Sequence, residues 1–293
     1  MYQLNNLFDN KNMKVIANKG NFQVFEHERD LSVSPSDAVT AYFSSEMNVR
    51  KRQVLVNMNG NSVTVQAGAM QWMVGNVQAS SGVKGVGNFL GKMVSSAVTG
   101  ESAVKPVYSG EGALMLEPTY KHIILLDLDE WNGSVVLDDG LFLACDGSIN
   151  QKVVARSNIS SAVLGKEGLF NLSLNGSGIA VLESYVPQKE LIVFEMKDDC
   201  IKIDGNMAIA WSGSLNFTVE KSTKSLLGSA VSGEGFVNVF RGTGTVLMAP
   251  TIKEKIISNP ASGSDSDNSP SDSKAQKLGK ALGTVGDILD LFN

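Results

Sequence analysis

Gly110-Glu111-Gly112, Gly176-Ser177-Gly178 and Gly242-Thr243-Gly244 are one motif met three times, and the step from 110 to 176 and from 176 to 242 is 66 residues both times. Each pair runs into an apolar stretch: Ala113-Leu114-Met115-Leu116, Ile179-Ala180-Val181-Leu182 and Thr245-Val246-Leu247-Met248. An acidic residue among small ones precedes each, in Gly100-Glu101-Ser102, Glu167-Gly168 and Gly233-Glu234-Gly235. A fixed period of this length marks an internally duplicated architecture. Working outward, each unit opens with a strand that ends in glycine: Val63-Thr64-Val65 before Gly68, Val135-Val136-Leu137 before Gly140, and Ile201-Lys202-Ile203 before Gly205. Those glycines stand 72 and 65 apart, so the first unit alone carries an insertion, within about residues 77–100. Strands follow the G-x-G pairs, which reads as hairpin corners where glycine takes a positive φ; a dinucleotide fingerprint would run into a helix. Gly68, Gly110, Gly112, Gly140, Gly176, Gly178, Gly205, Gly242 and Gly244 are therefore expected to be structural.

Composition sets the outer bounds. The chain has 293 residues, a formal charge of −5 and one tight basic group, Arg50-Lys51-Arg52, which disfavours nucleic acid as a partner. Its two cysteines, Cys145 and Cys200, lack C-x-x-C spacing and read as buried small hydrophobes in a reducing compartment. The first residues resemble no leader and no apolar run approaches a membrane span, so a cytoplasmic protein is expected.

Residues 1–52 form an N-terminal extension outside the repeat. Ser34-Pro35-Ser36-Asp37 offers an N-cap and a first-turn proline, predicting a helix over about 35–47. Asn59-Gly60, between Gln53-Val54-Leu55-Val56 and Val63-Thr64-Val65, predicts a hairpin. Phe170, Leu172 and Leu174 alternate with polar residues, as in a strand with one dry face. Residues 53–252 are expected to form one all-β domain. Residues 253–274 read as a flexible linker, rich in Ser, Asp, Asn and Gly. From 275 to 293, Leu278, Leu282, Val285, Leu289 and Phe292 form one apolar helical stripe that needs something to dock on. In the first-unit insertion Phe89, Leu90 and Met93 are the apolar side chains that would meet a partner, a neighbouring subunit or a lipid surface.

The chain is poorly supplied for chemistry. It has only His27 and His122, and His122 heads a strand, where a packing or surface role is expected. Two histidines and two cysteines at unrelated spacings make no ligand pattern, and no motif implies a cofactor. The acidic clusters Asp127-Leu128-Asp129-Glu130, Asp138-Asp139 and Asp198-Asp199 read as solvated hairpin tips, and Trp72, Trp131 and Trp211 as core or rim aromatics.

Taken together, Gln66-Ala67-Gly68-Ala69-Met70, Gly75-Asn76, Gly140-Leu141-Phe142-Leu143-Ala144, Gly168-Leu169-Phe170, Ala210-Trp211 and the three glycine pairs resemble the altered-inheritance-of-mitochondria family, number twenty-four type, over about residues 53–250. The resemblance implies a compact β-helix-like or barrel-like body of three pseudo-repeats, similar to units of the tryptophan RNA-binding attenuation protein. It implies no reaction, and it associates mitochondrial members with membrane organisation. The leading expectation is a non-enzymatic interaction or scaffold module that meets a protein partner or a membrane surface, or assembles as a homo-oligomer. The alternatives are a small-ligand or RNA-binding protein of attenuation-protein-like fold, and an enzyme of unknown reaction.

Overall fold

Alternating apolar residues punctuated by glycine build a chain of strands. The computed structural model describes residues 2–80, 105–155, 170–204, 207–221 and 236–251, all within the unit Met1–Lys253. A hairpin of β1 (Met13–Lys19) and β2 (Phe22–His27) leads to helix α1 (Ala38–Glu46). Three long strands follow, β3 (Arg52–Val65), β4 (Met70–Ser80) and β5 (Val107–Leu116). Next come β6 (His122–Asp127), β7 (Ser134–Leu137), β8 (Phe142–Asp146), β9 (Asn150–Ala155), β10 (Phe170–Asn175) and β11 (Ile179–Ser184). The last group is β12 (Ile192–Asp204), β13 (Ala208–Ser212), β14 (Asn216–Lys221) and β15 (Phe236–Met248).

Two sheets result, a nearly closed barrel and a half-barrel. The first runs β1-β2-β3-β8-β11-β6, with β5 on β3 and β4 on β5; the second runs β12-β15-β13-β7-β10-β9, with β14 on β15. Phe22, Val54, Val56, Leu114, Leu116 and Val181 fill the first. Leu126 and Leu182 meet Leu137, Leu174 and Leu247 in a core shared by both. In the second, the rings of Trp211, Phe217 and Phe240 lie 5.1 Å apart pairwise. Such buried aromatics supply much of the apolar area that offsets chain entropy.

The glycine pairs are not hairpin corners. Gly110 and Gly112 lie inside β5, Gly242 and Gly244 inside β15, and Gly176 and Gly178 in the link from β10 to β11, two strands of different sheets. All six have φ between +119° and +158°. Five of them mark where the chain passes close across a neighbour. A Cβ at Gly110 would overlap the Asn76 carbonyl oxygen, and one at Gly112 the Val74 carbonyl oxygen. One at Gly176 would lie 2.9 Å from Ser148 O, one at Gly178 2.9 Å from Asp146 Oδ2, and one at Gly244 2.8 Å from Ser212 Cβ. Gly242 has the most room, its nearest neighbours being Leu215 and Ser214 at 3.8 and 3.9 Å.

Other expectations are corrected too. β3 runs straight through Asn59-Gly60, because both halves pair with β5 and a register shift between Asn59 and Ser62 absorbs the glycine. Such a bulge does locally what a turn would have done. Helix α1 begins at Ala38, since Ser34 bonds Asp37 in a preceding turn and the cap residue Asp37 makes no side-chain cap. In β10 the polar residues Asn171 and Ser173 are buried along with Leu172 and Leu174, so both faces are covered; Asn171 Nδ2 donates to Leu137 O. Asp198-Asp199 lies at a bulge inside β12 rather than at a tip. Cys145 is buried as expected, whereas Cys200 is exposed. Gly205 and the first-unit insertion beyond Ser80 lie outside the described residues, as do the linker and the tail from residue 252.

Candidate functional site

Helix α1 is fixed by polar side chains at its C-terminal end. Arg52 is almost fully buried and sets Nη2 2.7 Å from Glu26 Oε2 and 2.7 Å from Asn48 Oδ1. The same nitrogen donates to Asn48 O at 3.2 Å. Arg50 Nε donates to Ser45 O at 3.0 Å while its Nη1 reaches Glu26 at 3.1 Å. Two guanidiniums therefore clasp carbonyls at and just beyond the helix end, Ser45 O also accepting from Asn48 N, and their charge complements the dipole. Beside them Ser45 Oγ donates to Glu28 O. Lys51 Nζ sits 2.5 Å from Asp30, and with Ser32 it holds that carboxyl down to about 2. The basic triplet is thus spent within the fold, which its reading as a lone cationic group did not reveal. The β2–β3 register, with Glu26 opposite Arg52, is what pairs it.

Nothing in α1 is buried. Val39 is 68% exposed, Tyr42 62%, Phe43 63% and Met47 79%. These positions fall on one helical face, and the rings of Tyr42 and Phe43 meet edge-on at 5.5 Å. Leu31 and Val49, just before and after the helix in sequence, are exposed as well. A monomer seldom leaves so many large apolar side chains together in water. Sequence spacing located the helix and its apolar stripe but gave no sign that the stripe would face water while Ala41, Ser44 and Ser45 turn inward.

The titratable groups are occupied elsewhere. His27 Nε2 bonds Gln53 Oε1 at 2.8 Å, and Gln53 in turn donates to Gln71 Oε1 and Leu116 O. His122 is pushed down to about 4 by burial, with the Arg52 charge adding to it. Burial pushes the Cys145 thiol up to about 12, with Asp146 nearby, so it stays protonated. Among the described residues no group of three or more His, Cys, Asp or Glu could hold a metal, and no helix is long and apolar enough to cross a membrane. The positive φ also holds at Gly68 and Gly140. Phe89, Leu90, Met93, Leu278, Leu282, Val285, Leu289 and Phe292 lie outside the described residues.

The family model described as mitochondrial biogenesis AIM24 matches residues 43–251, so β1, β2 and the first half of α1 precede the match. An uncharacterized protein of Streptococcus pyogenes is 34% identical over 196 residues, 64% of this chain and 76% of that protein. The crystal structure of a Streptococcus pyogenes protein is similar at 29% identity and a TM-score of 0.52, covering 70% of this chain and 90% of that one.

Proposed function

The chain belongs to the mitochondrial biogenesis AIM24 family, and within it we propose that this member is a non-enzymatic interaction module: a scaffold of three equivalent β units that presents helix α1 to a protein partner. The observation that carries this reading is the wet apolar face of Val39, Tyr42, Phe43 and Met47 on a helix anchored by a buried ion pair. An amphipathic helix laid into an apolar groove is a recurring recognition mode, and aromatic anchors dominate its energetics. A membrane surface fits less well. Interfacial helices carry Lys and Arg on their polar face, whereas the one charged residue from 38 to 49 is Glu46. A non-enzymatic role is supported by a buried thiol held protonated and by His27 engaged with Gln53.

The test places a photo-reactive amino acid at Tyr42 in cells, with exposed Val153 as control. The expected result is one discrete protein adduct at 42, absent at 153. The purified adduct partner should lose at least about tenfold in affinity when Phe43→Ser is introduced. Adducts shared by both positions, adducts to lipid, or unchanged affinity would overturn the reading.

A further inference from the structure

Two short ladders join successive blocks of strands, and they match residue for residue. At the first, β3 meets β8 with Val63 opposite Asp146, Thr64 opposite Cys145 and Val65 opposite Ala144. At the second, β7 meets β13 with Val135 opposite Ser212, Val136 opposite Trp211 and Leu137 opposite Ala210. The flanking bonds agree as well. Gln66 N donates to Leu143 O and Gly147 N to Ser62 O at the first; Asp138 N donates to Ile209 O and Gly213 N to Ser134 O at the second. Ile201 faces Phe240, two residues before Gly242, as Val63 faces Tyr108 and Val135 faces Leu174 two before their own pairs; Met73 faces Leu114, two after Gly112, as Cys145 faces Ala180 and Trp211 faces Val246. By that equivalence the next ladder would set Ile201, Lys202 and Ile203 of β12 opposite Val74, Met73 and Trp72 of β4. Asp204 N would donate to Gln71 O, and Gly75 N to Cys200 O.

That third ladder is not made within the chain. Among the described residues β12 pairs only with β15 and β4 only with β5, which leaves both outer edges open. Both are long strands, 13 and 11 residues. Long open edges are templates for another chain unless something blocks them; neither strand contains proline, and the β12 bulge, between Met196 and Asp199, lies outside the ladder in question. Resting on the equivalence of the three units proposed above, we infer that the chain assembles head to tail: β12 of one copy adds to β4 of the next and completes the ladder that the other two junctions already make. The partner is a second copy because the complementary edge is this chain's own β4. The contact is heterologous, joining unlike surfaces, and each copy contributes one of each.

The test exploits the direction of one N–H. Gln66 and Asp138 donate across their ladders, so in an antiparallel ladder the N–H groups two residues earlier, at Thr64 and Val136, face the same way. The equivalent Lys202 N–H faces outward from β12. Lys202→Pro therefore removes a bond to the second copy while sparing those to β15. Sedimentation of the full chain across concentration should show mass growing beyond one copy, with the proline variant remaining a monomer whose melting temperature matches that of wild type diluted to the monomer. A second measurement needs no disruptive change. In a Cys200→Ser background, Met73→Cys and Lys202→Cys proteins should form a disulfide dimer only when mixed. A wild-type chain monomeric at all concentrations, a bond formed within one chain bearing both cysteines, or dimers from either variant alone would each overturn the proposal. None of these outcomes depends on the α1 partner, so the two readings fail separately.

Discussion

At Gly112 there is no room for a side chain, because a Cβ would run into the backbone carbonyl of Val74, which cannot swing aside. At Gly178 the obstacle is the Asp146 carboxylate and at Gly244 the Ser212 side chain. All three also have positive φ. Valine at each should lower stability by about 1–3 kcal/mol, with Gly112→Val the most costly, as denaturant unfolding of the three variants will show. His122 supplies a pH test. Its folded value is about 4, below the ordinary 6.5, so the unfolded chain takes up a proton first as pH falls. Stability should drop from pH 6.5 to 4 through this group, and His122→Gln should flatten that part of the melting-temperature profile. The glycines were legible as a set because their spacing is fixed. That they serve close strand crossings was not, since a turn and a crossing both select glycine although they ask for different positive φ, +77° to +81° at Gly60, Gly68 and Gly140 and +119° to +158° in the pairs.

The element with most to reveal is α1. Glu26→Ala would leave the buried Arg52 guanidinium without its charge partner, at a cost of about 3–5 kcal/mol measured by equilibrium unfolding. Phe43→Ser removes a side chain that touches mostly water, and its effect on stability should stay within about 0.5 kcal/mol. That contrast separates anchor from contact face. Ser34-Pro35 placed the helix a turn too early because Ser34 has a nearer partner in Asp37. Its exposure could not be read from spacing, since a stripe of Val39, Tyr42, Phe43 and Met47 looks the same whether a core covers it or not. Asn59-Gly60 misled for a related reason: a strong local turn signal gave way to one neighbour, β5, holding both halves of β3.

For the molecule as a whole, Cys145 reports on the joint between the first two strand blocks, where it faces Thr64 across the β3–β8 ladder. Its thiol is buried and protonated, so labelling should wait for global unfolding and follow the denaturant dependence of overall stability. Cys200, exposed on β12, should react at once, and more slowly as protein concentration rises if copies cover that edge. The all-β body was readable from alternating strands and recurrent glycines. The division into two sheets was not, because it depends on which half of each long strand pairs with which neighbour. The two open edges differ from one another, and this has a genetic side. A Lys202→Pro copy still offers an intact β4, so a growing row accepts it and then has nowhere to add the next. In a cell carrying both alleles the altered product would shorten rows built mainly from the normal one. Its effect would be dominant, and its severity would follow the ratio of the two products rather than the amount of either.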